Sequence, residues 1–466
     1  MKKLVPFVIL LVLLVSVSLV VAQGGLPGSG WKSGQQIQNV GTADAKVVFT
    51  AYDKNGSNFN CGEKTIAPGA SDTYLTDSDC PVSAGFIGSA VVSADQPIAA
   101  IVNVNNRGTG AAAGQYQGTD GADVSDAISF PLVKNGHSGR TTTFYVQNAS
   151  TSPNTIDVSF KMEYSGTPYT KSYPNVPGNA MVVVMPSDAG VPVQQGTGSL
   201  SVSGTQPLAG SSLEHEASAA VGVNLQASKA FTAADGSADV YCPLYRNKQT
   251  VAKGQTSGAQ VQNVSGGTID IDFTFNAPGG PYGPYEANNV ADGDSVTFYA
   301  PALGIPEGTV GSAVINATGN VVAVVNDSAT DSGVGRKTTY ACFGSGATTV
   351  NVPLAKEFAG GNTTGVQVQN VSGAPAKIQL EYKSSTASLM IESAAPVADG
   401  ASITAWGVSS LGSEWTVKNS SGSMTGTVNG VVVTSLGGPV VAIANESSAN
   451  PGASGQDTKN YEGFGQ

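Results

Sequence analysis

Ile37-Gln38-Asn39-Val40, Val146-Gln147-Asn148-Ala149, Val261-Gln262-Asn263-Val264 and Val368-Gln369-Asn370-Val371 are one phrase written four times. Its asparagines stand 109, 115 and 107 residues apart. A second phrase follows each: Ala67-Pro68-Gly69-Ala70-Ser71, Val176-Pro177-Gly178-Asn179-Ala180, Ala291-Asp292-Gly293-Asp294-Ser295 and Ala398-Asp399-Gly400-Ala401-Ser402. The glycines Gly69, Gly178, Gly293 and Gly400 repeat the same three spacings. Two landmarks that keep step in this way mark four copies of one unit of about 110 residues. A repeated unit suits a rod, a wall or a set of binding faces better than a catalytic pocket.

A third landmark sits at Gly88–Asn103, Gly198–Glu214, Gly311–Asp327 and Gly430–Glu446. Each stretch reads as a β-rich run, a short turn and a second β-rich run, a pattern that predicts a hairpin. In the first copy, Ala90-Val91-Val92 and Ile98-Ala99-Ala100-Ile101-Val102 flank Ala94-Asp95-Gln96-Pro97. The proline opens the returning strand, where a strand tolerates it. In the second copy, Thr141–Gln147 is β-branched and aromatic, and Ala180–Met185 is a short apolar run. Thr155–Tyr164 alternates, with Ile156, Val158, Phe160 and Met162 on one face. No window carries an apolar stripe at helical period.

About seven short strands per copy predict an all-β chain of four tandem antiparallel β-sandwich modules of immunoglobulin type, arranged as a rod. Periodicity does not separate this from a barrel. The expected boundaries are 1–22 for a signal peptide, then 23–125, 126–237, 238–346 and 347–466 for the four repeats. The Gln-Asn pair closes a strand, where asparagine bonds local backbone and tolerates left-handed conformations. A Pro-Leu strand precedes the later copies, at Phe130-Pro131-Leu132-Val133, Cys242-Pro243-Leu244-Tyr245 and Val352-Pro353-Leu354-Ala355. No such strand precedes the first copy or follows the fourth, which stops at Tyr461–Gln466. One terminal module therefore carries an unpaired edge, a template for another chain.

Met1-Lys2-Lys3 precedes an uncharged run from Leu4 to Ala22, and Val20-Val21-Ala22 resembles a signal-peptidase site. The reading is a secretory signal peptide, with an uncleaved anchor as the alternative. No second long apolar run exists, so no membrane span is expected after cleavage. Loss of Lys2 and Lys3 leaves 20 basic against 33 acidic residues, a net charge of −13. That balance argues against nucleic acid and anionic membranes as partners. Charged residues are only 12% of the chain, so its surface is built from Ser, Thr, Asn, Gln and Gly.

Four cysteines in an exported chain predict disulfides, Cys61–Cys80 and Cys242–Cys342, each within one copy. His137 and His215 are the only histidines, and neither recurs in the other copies. Glu214-His215-Glu216 has metal-ligating residue types, but neighbours on a strand face opposite ways. No nucleophile elbow, Walker or dinucleotide fingerprint is present, so no catalytic residue and no enzyme activity are expected. No cofactor is expected either. Calcium would be the exception, at the acidic pairs Asp77 with Asp79, Asp292 with Asp294, and Asp327 with Asp331. Candidate glycosylation sequons stand at Asn55, Asn148, Asn263, Asn316, Asn326, Asn362, Asn370, Asn419 and Asn445. Tyr282 and Tyr285, and Trp406 with Trp415, are aromatic pairs of the kind that stack on sugars.

The Gln-Asn strand end, the Pro/Ala-x-Gly turn and the Gly-Ser-Ala-Val run together resemble the tandem immunoglobulin-like repeats of prokaryotic surface and secreted proteins. The resemblance spans residues 31–466 and implies an extracellular, non-catalytic role without carrying over any catalytic residue. The expected function is a secreted structural protein that forms or contributes to a surface fibre, layer or matrix. Its expected partners are copies of itself or other surface proteins. The alternative is an adhesin or carbohydrate-binding protein that grips glycans with loops of repeats three and four.

Overall fold

The computed structural model describes residues 8–12, 25–106, 112–193, 195–216, 225–249, 254–329, 337–407, 411–448 and 458–465. Of the expected signal peptide, only Val8–Val12 lies among them. The described chain is all-β, with several antiparallel sheets and one short α-helical turn at Thr76–Asp79. No helix among the described residues is long and apolar enough to cross a membrane. The chain divides into two compact units, Met1–Phe160 with Tyr164–Ala234, and Lys161–Glu163 with Asp235–Gln466.

In the first unit, β1 (Val8–Val12) precedes the first copy, which provides β2 (Trp31–Asn39), β3 (Ala45–Asp53), β4 (Asn58–Ile66), β5 (Ser71–Leu75), β6 (Gly88–Ala94), β7 (Ile98–Asn106), β8 (Ala113–Gln117) and β9 (Thr119–Asp120). One sheet has the order β4-β3-β6-β1-β9 and the other β5-β2-β7-β8. The second copy provides β10 (Ser125–Val133), β11 (Arg140–Asn148), β12 (Asn154–Met162), β13 (Tyr169–Val176), β14 (Met181–Val184), β15 (Gly198–Glu216) and β16 (Gln226–Lys229). Their order is β13-β12-β15-β11-β14, with β10 and β16 also on β15. Alternation does its work here: Ile156, Val158, Phe160 and Met162 of β12 are all buried.

In the second unit, the third copy provides β17 (Ser237–Arg246), β18 (Gln255–Asn263), β19 (Ile269–Asn276), β20 (Tyr282–Val290), β21 (Ser295–Tyr299), β22 (Val310–Ala329) and β23 (Lys337–Ala341). They repeat the earlier order as β20-β19-β22-β18-β21, with β17 and β23 on β22. The fourth copy provides β24 (Thr349–Glu357), β25 (Asn362–Asn370), β26 (Ile378–Lys383), β27 (Ser388–Ser393), β28 (Ser402–Trp406), β29 (Trp415–Ser421), β30 (Thr427–Ser435), β31 (Val440–Ser448), β32 (Thr458–Glu462) and β33 (Phe464–Gly465). These form β29-β27-β26-β30-β24-β33 and β28-β25-β31-β32. Strand β29 is an added edge, exposed along most of its length.

The third landmark is not a hairpin. β6 pairs with β3, whereas β7 pairs with β2 in the other sheet. In β22 the first half pairs with β19 and the second with β18. The reason lies in the apolar content of both halves. Ile98 through Val102 are buried without alternation, so this half needs cover on both faces. A turn that delivers each half to its own sheet provides that cover.

The Pro-Leu strand keeps one place in each of the later copies. It is the opening strand of copies two, three and four, as β10, β17 and β24, and the fourth copy ends on β32 and β33. One register recurs at each opening strand. Ser129 pairs with both Ser201 and Phe231. Tyr241 pairs with Val314 and Phe343 in the same way, and Asn351 with Val432 and Phe464. The opening strand thus lies between the third landmark and the last residues of its own copy.

Both disulfides lie within one copy. Cys61 in β4 joins Cys80, and Cys242 in β17 joins Cys342, just after β23. The second bond ties the opening strand of copy three to its closing strand across a sequence separation of 100.

Copy two fills the same position by size exchange. A Cβ on Gly210 would lie 2.9 Å from both Ile128 Cδ1 and Phe130 Cζ. The large Phe130 stands where copy three has Cys242, and Gly210 makes the room. Gly210→Ala is expected to lower stability by about 1–3 kcal/mol through overpacking. Urea unfolding of the variant checks this, and an unchanged midpoint would contradict the packing account.

Candidate functional site

The repeated Gln-Asn pair forms a buried clamp. Asn263 Nδ2 donates to Gly267 O at 2.7 Å and to Val290 O at 2.8 Å. Its Oδ1 accepts from Ser265 N–H at 2.9 Å. Asn370 makes the same three bonds, to Ala374 O, Val397 O and Ser372 N–H. Asn39 and Asn148 repeat them in the first two copies. The asparagine therefore fastens the loop after its own strand to the end of a distant one. The neighbouring glutamine holds the second landmark: Gln38, Gln262 and Gln369 donate to the carbonyls of Gly69, Gly293 and Gly400, and Gln147 to that of Asn179.

The landmark glycines follow from this clamp. Gly69, Gly293 and Gly400 have left-handed backbone, at φ 73°, 76° and 73°. Copy two shifts that conformation by one residue, to Asn179 at φ 59°. A side chain at Gly178 would then meet Thr151 O at 2.3 Å, so glycine is still required.

A second recurring feature joins the opening strand to the long third landmark. Three residues after each Pro-Leu proline stands a cation: Lys134, Arg246 or Lys356. Lys134 Nζ lies 3.0 Å from Glu214, Arg246 Nη2 2.6 Å from Asp327, and Lys356 Nζ 3.0 Å from Glu446. All three acids are buried. They occupy one position, since Glu214 pairs with Thr142, Asp327 with Ser257 and Glu446 with Thr364, each six residues before the clamp asparagine. Copy one has Val104 there and no preceding Pro-Leu cation. A tyrosine completes the lock in copies three and four. Tyr340 Oη accepts from Leu244 N–H at 3.1 Å and donates to Leu244 O. Tyr461 Oη does the same to Leu354, accepting at 2.9 Å. These pairs are not legible from neighbouring residues, because their members lie between 80 and 107 positions apart. The signal was the fixed step from proline to cation.

Burial alone would raise the Glu214 carboxyl, but Lys134 and Arg140 outweigh it and hold the group at about 2. Arg140 Nε donates to Glu214 at 3.0 Å and Nη1 to Glu216 at 2.8 Å. His215 faces away from these carboxylates, with Nε2 3.0 Å from Thr143 Oγ1 and Nδ1 2.7 Å from Glu216 O. Burial lowers its pKa. His137 lies in a short 3₁₀ turn. Among the described residues, no group of three or more His, Cys, Asp or Glu is placed to hold a metal.

The described members of the acidic pairs make contacts within the chain. Asp77 pairs with Lys32, and Asp79 accepts from Leu75 N–H at 2.8 Å. Asp292 accepts from Gly266 N–H at 2.8 Å, and Asp294 O from Asn263 N–H at 2.9 Å. Asp327 is the buried partner of Arg246, and Asp331 lies outside the described residues.

Of the sequons, Asn148, Asn263 and Asn370 are fully buried at the clamp. A glycan on any of them would have to displace the Nδ2 bonds that join two loops. Asn55, Asn316 and Asn419 are exposed, and Asn326, Asn362 and Asn445 half-buried. Tyr282 and Tyr285 lie on β20, half-buried against the core of copy three, and Tyr282 stacks on Phe275 at 5.8 Å. The two tryptophans are not a matched pair: Trp415 is 7% exposed and donates to Thr404 O at 2.7 Å, while Trp406 is 42% exposed.

No protein-family model and no curated protein matches this chain.

Asn263→Asp keeps the shape of the clamp but puts an acceptor where Nδ2 donates. It should lower stability by about 2 kcal/mol or more, since two buried carbonyls lose their donor. Chemical denaturation would show it, and a wild-type midpoint would refute the clamp. Glu214→Gln should cost about 3 kcal/mol or more at neutral pH by leaving buried cations under-compensated. Glu214 titrates lower folded than its ordinary 4.5, so its contribution is present above that value and is lost as pH falls toward about 2. The gap between wild type and variant should narrow over that window, and a gap independent of pH would contradict the assignment.

Proposed function

We propose that the chain is a secreted, non-catalytic structural protein of the cell surface, which forms or contributes to an extracellular fibre, layer or matrix. In this reading its four copies are tandem antiparallel β-sandwich modules of immunoglobulin type, at 23–125, 126–237, 238–346 and 347–466. One observation carries the reading. The chain rebuilds the same buried clamp four times, and its most distinctive polar side chains are turned inward to fasten loops and strands.

Such an arrangement favours a mechanical role. Opening and closing strands of one copy are joined by ladder bonds and, in copies three and four, by a tyrosine that grips the leucine backbone on both sides, while in copies two to four a cation reaching a buried acid ties the opening strand to the third landmark. In copy three a disulfide joins the same two ends. Bridging a loop of this length restricts the unfolded chain strongly, by about 4.7 kcal/mol in the chain-entropy account. The two disulfides and the leader-like N-terminus support export. The aromatic pairs offer little to a glycan-binding alternative, since Tyr282, Tyr285 and Trp415 pack on or within the core.

Electron microscopy of purified, oxidised residues 23–466 tests the proposal over a concentration series. Filaments or sheets with a regular repeat are the expected outcome. Separate particles at every concentration would overturn self-assembly.

A further inference from the structure

Copy one has no Pro-Leu strand, yet the place of that strand is filled. β1 runs antiparallel to β6, with Leu10 opposite Val92, Leu11 opposite Val91 and Val12 opposite Ala90. Leu11 also pairs with Thr119. This double pairing is the one Ser129, Tyr241 and Asn351 make with their own third landmark and closing residues. The register agrees to the residue in the first three copies: Val91, Ser201 and Val314 each stand three positions after Gly88, Gly198 and Gly311, whereas Val432 of copy four stands two after Gly430. Thr119, Phe231, Phe343 and Phe464 each stand three positions after Tyr116, Ser228, Tyr340 and Tyr461.

Side-chain chemistry points the same way. In the other copies the opening strand brings a cation to a buried acid. In sequence, Val12 is followed by Leu13-Leu14-Val15-Ser16 where Phe130 is followed by Pro131-Leu132-Val133-Lys134. An uncharged serine thus corresponds to Lys134, and the buried, apolar Val104 corresponds to Glu214. The acid and the cation are lost together, which removes the penalty of a lone buried charge. A slot built for a Pro-Leu-x-Lys strand would have kept its acid.

We propose that the edge of β6 is a strand-accepting slot, and that its occupant is the chain's own N-terminal apolar segment centred on Val8–Val12. The proposal rests on the four-module reading above. The segment read as a leader then has a second role as the opening strand of the first module. A chain without it presents the backbone of Gly88–Ala94 as an open edge.

The test uses the full chain, residues 1–466, with its N-terminus verified by mass spectrometry. Leu11→Cys with Val91→Cys is compared with Ser129→Cys and Ser201→Cys, the corresponding pair of copy two. After oxidation, non-reducing peptide mapping should find both cross-links within one chain. A cross-link in copy two alone would overturn the slot while leaving the modules intact. A Leu11–Val91 bond between chains would overturn the assignment of the occupant. If neither bond forms, the four-module register fails and the slot with it. Hydrogen exchange gives a second readout: in residues 23–466 the amides of Gly88–Ala94 should exchange about tenfold faster or more than in the full chain, with Gly198–Ser203 unchanged. Equal protection of Gly88–Ala94 in the two chains would also overturn the proposal.

Discussion

A buried amide side chain must find its hydrogen bonds inside the protein, and the rest of this structure depends on how that need is met. Asn39, Asn148, Asn263 and Asn370 are fully buried at strand ends. Each solves the problem by bonding the loop that follows it and a carbonyl nearly thirty residues away. The bond between distant loops fixes where the next strands begin. The left-handed glycine of the second landmark, the glutamine that grips it and the spacing shared by the two landmarks are consequences of one clamp.

The clamp secures the interior of each copy, and a separate set of contacts secures its ends. The opening strand is held by ladder bonds on two sides and by a cation reaching a buried acid. Copies two to four vary this theme without abandoning it. Copy two trades a large Phe130 against Gly210, copy three adds a disulfide, and copies three and four add a tyrosine that brackets a leucine. Copy one stands apart because its acid has become Val104. In the same copy, β1 lies on β6.

Much of this was legible before any coordinates. The alternation of Ile156, Val158, Phe160 and Met162 identified a half-buried strand, and the paired landmarks gave the repeat. The third landmark misled, because alternating and continuous apolar runs around a short turn look alike whether the strands pair with each other or part into two sheets. The candidate sites fared unevenly for a similar reason. A sequon at Asn263 and an acidic residue at Asp327 have the same letters on a surface loop as in a core, and only burial separates them.

The sequence by itself determined the strand-forming pattern, the recurrence of the Gln-Asn and glycine landmarks, and the cysteine inventory. These depend on local chemistry, which residue types and spacings express directly. Tertiary structure decided which strands share a sheet, that Lys134 meets Glu214 and Arg246 meets Asp327, and that Val8–Val12 pairs with Ala90–Ala94. Those are pairings between residues some eighty positions apart, and a chain folded differently would satisfy the same local preferences. Only closure of the whole copy, with every buried charge and amide matched, selects among them.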